Sequence, residues 1–125
     1  MVMARLLDLM KNYEDMSDFE INKRVALIVG VTFNGDGAPV RFVECDMGSY
    51  ADFNEIEFDP CNNAEDAEPI IIENRIGTIP APDDRLWKAA HRKIGNDDTP
   101  YHFTQDKNPL RAAMIVFLKM NEDKL

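Results

Sequence analysis

The stretch NPLRAAMIVFLKM, residues 108–120, decides how this chain folds. Asn108 is a helix-capping residue, and Pro109 falls in the first turn, where its missing NH is no loss and its ring pre-sets the helical backbone angle. The rest of the helix leaves no continuous polar face. Leu110, Ala112, Ala113, Met114, Ile115, Val116, Phe117, Leu118 and Met120 run round it, so it must be central and packed on more than one side. The other segments have to supply the layers that enclose it.

A second helix is legible in MSDFEINKRVALIVG, residues 16–30. Ser17 followed three residues later by Glu20 is a capping box, and Gly30 suits the left-handed position just past a helix end. Ile21, Val25, Ile28 and Val29 form its apolar stripe, with Lys23 and Arg24 toward water. A third helix is predicted in NNAEDAEPIIIENRIG, residues 62–77, where an asparagine cap precedes two acids that suit the positive end of the helix dipole. Pro69 removes one hydrogen bond within it, which predicts either a kink or a tightening of the helix there, with Ala67, Ile70 and Ile71 packed inward.

Between these helices the apolar period changes from helical to alternating. APVRFVECD (38–46) and FNEIEFD (53–59) read as antiparallel strands, with turns at Asn34-Gly35-Asp36-Gly37 and Met47-Gly48-Ser49. ENRIGTIP (73–80), DRLWKAAHRK (84–93) and PYHFTQD (100–106) read as a meander broken at Pro82-Asp83-Asp84 and Gly95-Asn96-Asp97-Asp98. The expected fold is therefore α+β: a small antiparallel β-sheet with helices packed on its faces, in an α/β/α sandwich-like order of helix, strands, helix, strands, helix. Residues 1–12 form an N-terminal extension of helical spacing, either a frayed helix or a dimer- or partner-binding one, and 13–125 make a single domain.

Composition narrows the function classes. The net charge is −9, and between Glu44 and Glu73 there are ten Asp or Glu and no Lys or Arg. A phosphate backbone requires a basic stripe, so direct nucleic-acid binding is not expected. An acidic face can instead meet a basic protein or simply keep the chain soluble. No run reaches the roughly 18 to 20 apolar residues of a membrane span. Cys45 and Cys61 have no CxxC spacing and only His91 and His102 offer imidazoles, so no metal or other cofactor is called for and reduced thiols in a cytoplasm are the default.

Three stretches resemble a known family. SDFEINKRVA (17–26), FDPCNNAEDAEPIIIENRI (58–76) and NPLRAAMIVFLKM (108–120) are similar, in order and spacing, to the NinX-like proteins of the nin region of lambdoid phages and of enterobacterial prophages, over essentially Tyr13 to Met120. A weaker likeness is to phage sandwich domains with helices on both faces of a small sheet. The resemblance implies a phage or prophage accessory protein in the cytoplasm of a bacterial host, with no reaction assigned to it.

Candidate sites lie in the same stretches. FDPCNN, residues 58–63, joins a carboxylate, a thiol and two amides ahead of a helix. Cys61 is either a nucleophile activated by helix NH groups or a buried thiol in a turn, and no base is seen near it. Asn62, Asn63, Asn108 and Arg111 would hold an anion such as a nucleotide phosphate if their helix starts converge. Otherwise the asparagines cap locally and Arg111 pairs with an acid such as Glu73. Trp87, Tyr101 and Phe103 are either a stacking surface or core. The favoured function is non-enzymatic: binding of a host or phage protein through an acidic surface that includes Glu55, Glu57, Glu65 and Asp66. The alternative is a small-ligand binder, and the state is monomer or homodimer.

Overall fold

In a computed structural model, residues 12–45, 52–82, 85–91 and 102–122 are described. The C-terminal helix α3 (Pro109–Met120) starts where Asn108 Oδ1 accepts the backbone NH groups of Leu110 at 2.9 Å and Arg111 at 3.3 Å. Ala112 to Leu118 are seven consecutive buried residues, nearly two full turns, and so face every direction around the axis. Such a helix is stable only when enclosed.

The enclosure comes from two sides. On one side lies a three-stranded antiparallel sheet in the order β3 (Gly77–Pro80), β4 (Trp87–His91), β5 (His102–Asp106), which meets α3 through buried Ala89 and Thr104, a cross-strand pair. On the other side lie α1 (Asp18–Val29) and α2 (Ala64–Glu73), which contribute Ile21, Val25, Ala26, Ala67 and Ile70 to the core. A lone 3₁₀ turn, Tyr13–Asp15, precedes α1. Its Glu14 carboxylate is held by Thr104 Oγ1 and by Lys119 Nζ at 2.9 Å, tying this turn to β5 and α3. Burial opposes ionisation of Glu14, but the Thr104 and Lys119 hydrogen bonds outweigh it and depress its pKa.

The remaining strands, β1 (Val40–Cys45) and β2 (Asp52–Glu57), pair antiparallel in a sheet of their own, registered from Val40 opposite Glu57 to Cys45 opposite Asp52. The α+β class, the element order and the central packing of α3 agree with the sequence pattern. The five strands, however, divide between two sheets, and α3, not a sheet, is the middle layer. The alternation that identifies strands fixes the face each side chain takes but not which strands share an edge.

Local expectations fare unevenly. Ser17 Oγ caps α1 by accepting the Glu20 NH at 3.2 Å, and Gly30 closes it at φ 92°. Val29 is 48% exposed, though, and the buried arc takes in Asn22 and Ala26. Pro69 does not end α2: its ring is exposed, as is Glu65, whose carbonyl lacks the usual NH and can bond water. The N-terminal extension up to residue 11 and the turn residues 47–49, 83–84 and 95–98 lie outside the described residues.

Truncating the enclosed helix tests its centrality. Met114→Ala should lower unfolding free energy by about 2–5 kcal/mol in a denaturant titration, whereas Leu27→Ala, at a residue 65% exposed, should change it by no more than about 0.5 kcal/mol.

Candidate functional site

The segment between β2 and α2 is drawn against the starts of α1 and α3 by a connected set of polar side chains. Asn108, besides capping α3, donates from Nδ2 to the Cys61 carbonyl at 2.6 Å and to Asn62 Oδ1 at 3.3 Å. Asn62 Nδ2 reaches Asp18 Oδ2 at 3.0 Å and both Asp59 oxygens at 3.2 Å. Asn22, buried in α1, donates to Asp59 Oδ1 at 2.7 Å and accepts the Cys61 NH at 3.1 Å. Backbone and side chains are thus paired across three elements far apart in sequence.

Arg111 anchors the same junction. Its Nε donates to Asp106 Oδ2 at 3.0 Å, Nη1 to Asp18 Oδ1 at 2.5 Å, and Nη2 to the carbonyls of Glu14 at 3.1 Å and Met16 at 2.7 Å. Burial works against the guanidinium charge, yet the bonds and charges of Asp18 and Asp106 outweigh it and raise its pKa further. The partners are Asp18 and Asp106, not Glu73, which ends α2 at the opposite pole. Asn62, Asn108 and Arg111 do converge. Asn63 acts locally, its Oδ1 accepting the Glu65 NH at 2.9 Å.

This convergence is acidic as well as amide-rich. Asp18 and Asp106 flank the Arg111 guanidinium, Asp59 accepts from the Asn22 and Asn62 amides, and the helix-start NH groups of Leu110 and Arg111 are already bonded to Asn108. Cys61 is fully buried, its Sγ 3.9 Å from the Asp18 carbonyl. Burial, with the Asp18 charge next, pushes its pKa far above the ordinary thiol value, which suppresses the thiolate a nucleophile needs. His91 and His102 stack on each other, centroids 6.2 Å apart, at the end of the β4–β5 ladder away from Asp106. Neither serves as a base for Cys61.

The acidic candidates separate by burial. Glu55, Glu57 and Glu65 are exposed, whereas Asp66 is buried: it accepts the Asp59 NH at 3.0 Å and pairs with Arg41 Nε at 2.8 Å. Asp66 therefore joins the β1–β2 ribbon to α2 and does not belong to a surface patch. Trp87 and Phe103 lie on opposite faces of the sheet, since Trp87 pairs with Asp106 and Phe103 with Ala90. They do not form one stacking platform, and at 37% and 40% exposure neither is core. Tyr101 lies outside the described residues.

A family model described as Bacteriophage P22, NinX matches residues 12–121. The chain belongs to the P22 NinX family. A comparison with curated proteins gives no match. The NinX span opens at Asn12, which caps the 3₁₀ turn, and closes at Asn121, which caps α3 at its far end. It therefore contains the whole junction and both sheets.

Sequence reasoning missed Asp18, Asp106 and Asn22, which complete the NinX junction. Asn22 carried a usable signal: an amide beside Ile21 and four and three residues before Ala26 and Val25 sits on the buried arc, where it must find partners. Asp18 and Asp106 carried none, because acids at helix starts are ordinary.

Removing the anchor should be severe. Arg111→Met leaves Asp106, whose side chain is 18% exposed, and Asp18 without their cation. A loss on the order of 3 kcal/mol in chemical denaturation is expected, against at most about 0.5 kcal/mol for Arg24→Met, whose exposed pair with Glu20 spans 3.8 Å. In a Cys45→Ser background, Cys61 should react with a thiol reagent only as fast as the protein unfolds, so labelling should accelerate steeply with denaturant. Prompt labelling in buffer would show an accessible thiol instead.

Proposed function

We propose that this NinX protein is a non-enzymatic accessory factor that binds a basic surface of a host or phage protein in the bacterial cytoplasm. The observation that carries the reading is the base-free run from Glu44 to Glu73, with Glu55 and Glu57 exposed along β2 and Glu65 exposed at the start of α2. Glu55 and Glu57 share one face of the ribbon, and that face also presents Phe42, 53% exposed and directly opposite Glu55. An apolar residue flanked by two carboxylates suits a partner that offers both a basic group and a hydrophobic contact.

The internal chemistry supports binding over catalysis. Cys61 is held as a thiol and the two histidines face each other. Arg111 and Asn108 have protein acceptors for their donors, which leaves an anion little to recruit at the junction. Among the described residues no helix is long and apolar enough to cross a membrane.

Capture from phage-infected cells provides the test. The wild-type chain should retain a specific protein at low salt and lose most of it at moderate salt, and the triple variant Glu55→Lys, Glu57→Lys, Glu65→Lys should lose at least tenfold while remaining folded by circular dichroism, its midpoint lowered slightly by loss of the Arg41–Glu65 pair. A partner whose capture ignores those reversals would sink the acidic-face reading. Asp66 is left intact in that variant because its carboxylate holds the fold.

A further inference from the structure

The three helices run with like ends together. Their starts meet at the Asp18, Asn62 and Asn108 junction, and their last turns line one cleft of about 320 Å³ formed by Ile28 and Val29 of α1, Pro69, Ile70, Glu73 and Asn74 of α2, and Phe117 and Asn121 of α3. That volume lies at the small end of the roughly 300–1,000 Å³ typical of ligand sites. Each helix end carries the negative pole of its dipole, although several last-turn carbonyls are capped, Ile70 and Ile72 by the Asn74 NH and Leu118 by the Asn121 NH.

The cleft's polar groups are one carboxylate and two amides. Asn74 turns one Nδ2 hydrogen back onto the Ile70 carbonyl and Asn121 one onto the Phe117 carbonyl, both at 2.8 Å, which leaves each side-chain oxygen and one N–H outside that bond. Glu73 adds a carboxylate, and no lining residue is a base. Arg75, next along the chain, sits in a left-handed turn at φ 54° and does not line the cleft. The walls are otherwise aliphatic or aromatic. Acceptors at the ends of three helix dipoles with apolar walls between them match a group that is cationic, rich in planar donors and carried on an apolar stem.

We propose that this cleft receives an arginine side chain of the partner protein, the guanidinium facing Glu73, Asn74 and Asn121 and the methylenes lying along Val29 and Pro69. The proposal rests on the protein-binding reading and names a contact for it on a different face from Glu55 and Glu57.

The full chain titrated with N-acetyl-arginine methylamide, followed by amide NMR shifts, tests the cleft without any partner. Saturable shifts should concentrate at Val29, Asn74 and Asn121, and the neutral citrulline counterpart should bind at least fivefold more weakly. Glu73→Gln should weaken arginine binding at least fivefold. Val29→Trp, a filling substitution at an exposed position, should do the same without touching any charge. Equal binding of citrulline, or shifts confined to Glu55, Glu57 and Glu65, would overturn the proposal. A partner captured from infected cells that is lost on reversal of those three glutamates yet retained by both Glu73→Gln and Val29→Trp would also overturn it while leaving the acidic-face reading intact. Arginine binding at the cleft with no partner captured at the acidic face would remove that reading and retain the cleft.

Discussion

A helix with no wet face is the constraint on which this structure depends. Seven successive buried residues in α3 need neighbours in every direction, and a chain of 125 residues has few elements to offer. A three-stranded sheet covers one side because a sheet is the widest surface that so few residues can make. Two short helices cover the other because each brings one apolar stripe. The β1–β2 ribbon is left outside this sandwich, tied to α2 through the Arg41–Asp66 pair, and Glu55 and Glu57 stand exposed on it.

Placing three helices with like ends together brings three positive poles to one end and three negative poles to the other. The positive end is compensated from within. Asp18 and Glu20 lie in the first turn of α1, Glu65 and Asp66 in that of α2, and Asp106 just ahead of α3. Arg111 then reconciles Asp18 with Asp106, as Arg41 does Glu65 with Asp66, since carboxylates so placed would otherwise repel. The negative end has no comparable supply: α1 and α2 have no base in the last turn, and the one lysine of α3, Lys119, is turned to Glu14, Thr104 and the Phe103 carbonyl. The asymmetry has its origin in sequence placement, because neither α1 nor α2 has a base in its last turn and Arg75, just past α2, does not line the cleft.

Much of this architecture was legible in sequence because it is local. Caps at Ser17, Asn63 and Asn108, the glycine stop at Gly30 and the unbroken apolar run in α3 each reflect forces within a few residues, and each appears where the pattern places it. Relations between distant elements were not legible. Alternation could not divide five strands into two sheets, and nothing in FDPCNN announces that Asn62 will meet Asp18 across 44 positions. The same limit hid Asp66, which reads as one more acid in an acidic run until Arg41 is brought beside it by the ribbon. Pro69 shows a subtler gap: the lost hydrogen bond was predictable, but whether it breaks a helix depends on whether the orphaned carbonyl faces water.

Where a ligand can act is decided by what folding leaves unsatisfied. The FDPCNN junction holds the densest chemistry in the chain, yet its amides, carboxylates and guanidinium bond one another, so an arriving anion would have to displace existing charge-assisted bonds before gaining any of its own. Its density marks a hub that holds three elements in register. The opposite end of the helices has the reverse character: few polar groups, a carboxylate and two amides, beside a cleft with apolar walls and no cation in its lining. Binding free energy is gained most readily at such groups, because they give up only water to meet a partner. The residues most conspicuous in sequence therefore serve the fold, and the proposed contacts fall on plainer ones, Glu55 and Glu57 beside an Arg41-paired Glu65 on one surface and Glu73, Asn74 and Asn121 on another.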